Sequence, residues 1–394
     1  MLSSTARPLI AASVPVLRQH GLAITQHFYR EMFAAHPALK NLFNQGNQAI
    51  GVQQQSLANA VFAYAAHIDD AAALAPVIER IVHKHASLGV GPQHYPIVGH
   101  HLLGAIAAVL GDAATPELLT AWEEAYGLLA GQLIAAEARL YRQSGHAAGE
   151  LLDLRVIERR RETDLVTSYY LQDAQGRSPG RFRPGQYVSV AVQLDNGLRQ
   201  LRQYSLSDAP QQPWWRITIK AETGDPAGMV SNHLRQTLRI GSPIAVSPAF
   251  GDFAPELGGE RPLVLISAGV GITPMVSILN TLAFEESSRP LLFAHAASAA
   301  SAQVLRADLV AARASLPQMG TAFWYETGDL PAQARAGRMA LEQVITPDLL
   351  SGEFLLCGPR GFMEAQRQQL LQLGVQPNQI QREVFGPDLL EHLL

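Results

Sequence analysis

His85 is the first residue in this sequence whose type and spacing suggest chemistry. Leu74, Val77, Ile78, Ile81, Val82, His85 and Leu88 recur at helical spacing, so His85 is expected on the inward face of a helix. His83 lies about 200° around the helix from Ile81 and is expected to face away. By itself such a position suits a hydrogen-bonded core histidine better than a ligand. Three more polar residues sit on apolar stripes, however. Gln53 shares a face with Leu57, Val61 and Tyr64; Tyr29 shares one with Leu22 and Phe33; Glu137 shares one with Tyr126, Ala130, Leu133 and Leu140. A buried, unpaired carboxylate is costly, so Glu137 needs a partner if it is inside; the alternative is a glutamate at a helix end reaching water. Several inward polar groups in a helical segment suggest a cofactor pocket.

Other candidates lie further along. The run RFRPGQYVSV (181–190) precedes RQYSLS (202–207); read alone, these are a turn and an exposed strand. In GMVSNHL (228–234), Ser231 and Asn232 near a helix start suit ordinary helix caps. LVLISAGVGITPMVSIL (263–279) reads as strand, glycine loop and helix. Only Gly269 and Gly271 fall in the dinucleotide register, a weak signal alone, yet the loop would offer backbone amides at a helix N-terminus. The single cysteine, Cys357, excludes a disulfide and a cysteine-based zinc site within one chain and fits a reducing compartment. Its plainest reading is a small buried hydrophobe.

These residues need elements to position them. The chain has 394 residues, enough for two to four domains at roughly 100–200 residues each. With 47% hydrophobic and 16% charged residues, each domain can bury a core. A net charge of −4 does not point to nucleic acid or an anionic membrane. Residues Pro8 to Leu17 resemble a signal-peptide core, but Ile10, Val14 and Leu17 fall at helical spacing, so an amphipathic helix is expected. Residues Pro262 to Phe284 are uncharged over a membrane-spanning length, but the central glycines and Pro274 favour a strand, loop and helix. Residues 1–142 read as helical, with breaks at Gly91-Pro92 and Thr115-Pro116, and 143–150 as a small, polar linker. Over 151–258, strand-like runs (Val166 to Leu171, Tyr187 to Val192, Trp215 to Lys220, Ile244 to Val246) suggest a β-barrel. Over 259–394, LVLISA, LLFAHA, AFWYE and FLLCG read as buried parallel strands alternating with helices.

The runs HFYREMF (27–33), LKNLFN (39–44), VQQQSLANAVFAYA (52–65), HKHASLGVGPQHYPIVGHHLL (83–103) and AWEEAYGLLAGQLIAAEARLY (121–141) resemble the globin domain of bacterial flavohaemoglobins. The resemblance implies a multidomain fold: an all-α globin domain, a ferredoxin-reductase-like β-barrel FAD domain and an α/β nucleotide-binding domain. It implies haem b, FAD and NAD(P)H as cofactors. His85 would be the haem-iron ligand, with Lys84 beside it, and Tyr95 and Glu137 would hydrogen-bond His85. Phe43 would wedge the haem, while Tyr29, Gln53 and Leu57 would line the side where oxygen binds.

The later runs resemble the reductase half of the same family. Arg202 would pair with the FAD pyrophosphate, Gln203 and Tyr204 would contact the flavin, Ser205 would approach its N5, and Tyr187 would pack on it. Ser231 would help to hold phosphate. Gly269, Val270, Gly271, Ile272, Thr273 and Pro274 match the nicotinamide loop, and Cys357 would lie near the nicotinamide without a nucleophilic role. In REVFGP (382–387), Phe385 would cover the flavin ring, followed by Gly386 and Pro387. The sequence departs from the family pattern in its DLLEHLL tail and in the uncharged SAASAQ (298–303), which leaves NADH versus NADPH open. The implied activity is nitric oxide dioxygenation, with electrons passing from NAD(P)H to FAD to haem. The alternatives are a haem/flavin hydroperoxide reductase, or an oxygen carrier or sensor kept ferrous by its reductase. The expected partners are small molecules only (O2, NO, NAD(P)H), with no nucleic acid and no transmembrane segment, in a cytoplasmic monomer.

Overall fold

The computed structural model describes residues 2–194, 197–224 and 227–390. It divides into two compact units. The first comprises the chain up to Leu151, the segment Ala191–Arg202 and the chain from Gly386. The second comprises Leu152–Val190 and Gln203–Phe385.

The first unit is built from helices α1 (Ala6–Ala35), α2 (Gln45–Ala49), α3 (Val52–Ala66), α4 (Ala71–Leu88), α5 (His94–Leu110) and α6 (Pro116–Ser144). Their ends follow local chemistry. Asp70 caps α4 by accepting from the Ala73 amide at 3.0 Å, and Gly89, at φ +79°, ends it. Thr115 caps α6, Pro116 occupies its first position, and Gly145, at φ +74°, stops it. Helix α6 thus extends through Ser144, into the stretch read as linker. Ile10, Phe28, Met32, Phe62, Leu102, Ile106 and Trp122 form the main core, each contributing on the order of 1.5–3 kcal/mol by burial. A second cluster joins Val82, Tyr95, Ala130 and Leu133. Among the described residues one helical stretch, His94–Ala113, is long and apolar enough to cross a membrane by length and composition. It includes α5, whose Leu102, Ala105 and Ile106 belong to the main core. The returning tail docks on α3 and α4. Asp388 pairs with Arg80, Ser56 and Asn59 donate to the Asp388 and Leu389 carbonyls at 2.7 Å, and Leu390 packs on Ala63 and Val77.

The rest of the described chain forms two six-stranded sheets, in the second unit except for the ends of β3 and β4 that fall within Ala191–Arg202. The first contains β1 (Leu152–Arg161), β2 (Val166–Gln172), β3 (Tyr187–Gln193), β4 (Arg199–Ser205), β5 (Trp215–Lys220) and β6 (Pro243–Val246), in the order β4-β3-β6-β1-β2-β5. Its β1–β2, β1–β6 and β2–β5 pairs are antiparallel, and a bridge between Leu206 and Ile217 joins the two ends of that order into a barrel. Helix α7 (Met229–Thr237) follows β5. The second sheet contains β7 (Leu263–Ala268), β8 (Leu291–Ala297), β9 (Gly320–Tyr325), β10 (Arg335–Ala336), β11 (Glu353–Cys357) and β12 (Ile380–Glu383). Its strands are parallel, in the order β10-β9-β8-β7-β11-β12. Helices α8 (Ile272–Phe284) and α9 (Arg306–Ser315) cover one face, and α10 (Arg360–Gln372) packs on the other. The uncharged stretch from Pro262 is therefore strand β7, a glycine turn and helix α8, as its glycines predict. Strand β7 is buried throughout, which explains why the run lacks polar alternation.

Candidate functional site

Helices α4, α5 and α6 bring together His85, Tyr95 and Glu137. His85 Nδ1 lies 2.8 Å from Glu137 Oε1 and 3.1 Å from the Tyr95 hydroxyl. The Tyr95 hydroxyl donates to the same carboxylate oxygen, and Tyr126 donates to the Tyr95 carbonyl at 2.6 Å. Glu137 is only 2% exposed, so the partner its burial demands is present twice over. Burial and the adjacent carboxylate push the Tyr95 phenol well above its ordinary range, keeping it a donor. A carboxylate only accepts, so Nδ1 carries the hydrogen of a neutral His85 and the Nε2 lone pair is available to a metal. The donor set thus fits an imidazole that would hold haem iron. Lys84 stands half-buried beside it.

His83 differs from the sequence expectation: it is 6% exposed. The fully buried face of α4 includes Val82, His83, Ala86 and Ser87, whereas Ile78, Ile81, His85 and Leu88 are half-buried. Helix α4 is covered on more than the side marked by its apolar stripe, so one stripe does not name every buried position.

Tyr29 belongs to the main helical core, distinct from the cluster around Tyr95, and partly buried Tyr126 packs against both. Its ring meets Phe33 and Phe43 with centroids 5.6 Å apart in each case, the Phe43 ring nearly edge-on. The Gln53 and Gln48 side chains lie beside the Tyr29 hydroxyl, and Gln48 Nε2 is buried without a protein hydrogen-bond partner. Burial pushes the phenol far above its ordinary value, and the two amides pull it only partly back. Leu57 packs half-buried on the same core. Gln48 escaped sequence reasoning because it lies in the short helix α2, which has no buried residue and so no readable stripe.

In the second unit, Tyr187 begins β3 and its amide donates to the Phe250 carbonyl at 2.8 Å. Gly251, at φ +130°, brings the chain so close that a Cβ there would lie 3.1 Å from the Tyr187 ring. Gln203 donates to Ser189 Oγ at 3.0 Å, Tyr204 is half-buried, and Ser205 is 6% exposed. The Ser205 hydroxyl has no protein hydrogen-bond partner, which suits a residue meant for a bound group such as the flavin. Arg202, counted with the first unit, donates to the Leu201 carbonyl at 2.8 Å and to Gln200 Oε1 at 3.2 Å. Ser231 sits half-buried in the first turn of α7, whose cap residue Gly228 offers no side chain.

At the C-terminal end of β7, Gly269 turns the chain at φ +54° with open space beside it. Val270 follows, and the Thr273 hydroxyl ties back to its carbonyl at 2.9 Å. Gly271 is needed for a different reason: a Cβ there would lie 2.4 Å from the Cys357 carbonyl oxygen. Ile272 and Pro274 are buried in the first turn of α8. The result is a glycine turn feeding a helix N-terminus at the strand ends, which suits a pyrophosphate. Cys357 is fully buried and its thiol is pushed up by burial, so it is not a thiolate nucleophile. Phe385, the last residue of the second unit, is 47% exposed; Gly386 and Pro387 begin the tail, Gly386 at φ +115°.

A globin family model matches residues 26–133, and an oxidoreductase NAD-binding domain model matches residues 265–368. A flavohemoprotein of Bordetella parapertussis is 46% identical over 98% of this chain and 99% of its own length. The structure of a Malassezia yamatoensis flavohemoglobin with bound FAD and heme superposes with a TM-score of 0.89 at 30% identity, covering 98% of this chain and 100% of that one. The FAD/NAD-binding domain of a Vibrio cholerae nitric oxide dioxygenase is 36% identical, covering 60% of this chain and 99% of that one with a TM-score of 0.56. The chain belongs to the flavohemoprotein family, an oxidoreductase with a haem-binding globin domain and an FAD- and NAD(P)H-binding reductase.

Proposed function

We propose that this flavohemoprotein is a nitric oxide dioxygenase. The observation that carries the reading is the buried His85–Glu137–Tyr95 arrangement, which is more than a simple oxygen store requires. When bound, haem supplies the iron at which O2 and NO react, and FAD divides the electron pair of NAD(P)H into single electrons. The chain's own residues do the rest. Glu137 keeps the His85 proton on Nδ1 and gives the ring anionic character, so Nε2 is a stronger donor. Tyr95 holds the carboxylate in place by donating to the same oxygen. The Tyr29 hydroxyl and the Gln53 amide provide polar hydrogens for a small diatomic ligand, within a core otherwise made of Phe33, Phe43 and Leu57.

In the reductase, Ser205 has a hydroxyl in reserve for the flavin, and the turn at Gly269–Thr273 orients the nicotinamide donor. The overall reaction balances as NAD(P)H, two O2 and two NO giving NAD(P)+, one proton and two nitrate. The Vibrio cholerae relative, named a nitric oxide dioxygenase, supports the same reading for the reductase half. The test is NO consumption by the holoprotein in air with NADH or NADPH. Nitrate should form in step with NO lost; nicotinamide oxidation that yields peroxide and leaves NO untouched would refute the reading.

A further inference from the structure

A buried ionic network in the second unit joins the strand segment assigned to the flavin to the helix that follows the nicotinamide loop. Arg216, in β5, is 2% exposed. Its guanidinium donates to the Ser207 carbonyl, with Nε at 3.1 Å, and to Asp308 Oδ1 at 2.7 Å. It also lies 3.8 Å from Asp208 Oδ2. Asn280, in α8, donates at 2.9 Å to Asp208 and at 2.9 Å to Asp308. Ser277, one turn before it, donates to the Asp208 carbonyl at 2.8 Å. A single guanidinium therefore serves two carboxylates, with the helix amide bridging both.

The placement gives the network a meaning. Ser207 and Asp208 follow Tyr204 and Ser205 with only Leu206 between, and Ser277 stands one helical turn beyond Thr273 of the glycine loop. Buried ion pairs are poor sources of stability, since apolar side chains of like volume often do as well or better. What hydrogen-bonded charges do supply is direction, because each donor and acceptor tolerates little displacement. Hydride transfer is the step most sensitive to such placement, as it needs reacting atoms about 3–3.5 Å apart.

We infer that Arg216, through Asp208, Asp308, Asn280 and Ser277, is a positioning residue that fixes the nicotinamide loop against the flavin for hydride transfer. This rests on the reading that FAD takes its electrons from NAD(P)H at that loop. The test uses the full-length holoprotein and the variants Asn280→Ala, Ser277→Ala and Arg216→Met. Anaerobic rapid mixing with the nicotinamide that reduces the wild type gives the limiting rate of flavin reduction and the half-saturating concentration. Hydrogen exchange at residues 269–273 and thermal unfolding are measured on the same samples.

The limiting rate is expected to fall roughly tenfold to a hundredfold with half-saturation changed less than about threefold. Exchange at the loop should quicken. Folded variants that keep the wild-type limiting rate and loop exchange, whatever their melting temperature, would reduce the network to a structural role and overturn the inference. If Arg216→Met does not fold, Asn280→Ala decides on the same two readouts. A wild-type flavin reduced by neither nicotinamide would overturn the electron path, and this inference with it.

Discussion

Glu137 accepts from both His85 and Tyr95 on one oxygen, while its other oxygen, buried, has no protein partner. This asymmetry makes the residue testable. Glu137→Gln keeps the shape but removes the acceptor charge, so it should retain haem, weaken the iron–histidine bond seen by resonance Raman, and lower NO turnover about tenfold. Wild-type turnover with an unchanged Raman band would remove Glu137 from the mechanism. A second residue gives a pH prediction. His295 is fully buried, its Nδ1 lies 2.9 Å from Ser267 Oγ, and burial pushes it down to about 3. An unfolded histidine titrates near about 6.5. Between those values the unfolded state binds the extra proton, so stability contributed by neutral His295 is present above that range and lost as pH falls through it. The melting temperature of the wild type should therefore drop more steeply than that of His295→Gln as pH falls from about 6.5 towards about 3; parallel curves would contradict this. At this scale His85 and Glu137 were legible because each shares a stripe with apolar neighbours. His83 was not, because a helix covered on several sides buries residues off its stripe.

Elements explain why some positions admit one residue only. Gly271 has an ordinary helical φ of −62°, so its requirement is space, not conformation. A methyl there would press on backbone atoms of Cys357 and Gly358, which cannot swing aside. Gly271→Ala should destabilise by about 1–3 kcal/mol and weaken NAD(P)H binding while leaving the haem spectrum unchanged. Denaturation and nicotinamide titration would check both parts, and unchanged values would mean the loop can shift without loss. Parallel strands β7, β8, β9 and β11 were readable as apolar runs, whereas the short edge strands β10 and β12, RA and IQRE, carry no such run. Strand β1 was not. In LDLRVIERRR only Leu154 and Val156 point inward, a register shift falls between Val156 and Glu158, and the charges that follow are exposed. A half-exposed strand with a bulge loses the alternation that announces it.

For the whole molecule, the order of helical, barrel and parallel-sheet segments could be read from where apolar periodicity changes. The cofactors came from resemblance in the motifs, since spacing alone left His85 a core histidine and Gly269–Gly271 a weak loop. Tertiary facts lay outside local reading. Nothing in GPDLL announces that Asp388 meets Arg80, or in WRITIK that Arg216 is buried against Asp308. Such contacts join residues far apart in sequence whose local patterns are silent about each other. The electron path proposed for the molecule runs from NAD(P)H to haem held by His85. That path is read from the visible spectrum of the purified holoprotein, without oxygen, before and after a nicotinamide is added. A haem band with a flavin shoulder is expected, then bleaching of the flavin and conversion of the haem to its ferrous form. Flavin that bleaches while the haem stays ferric with either nicotinamide would contradict it.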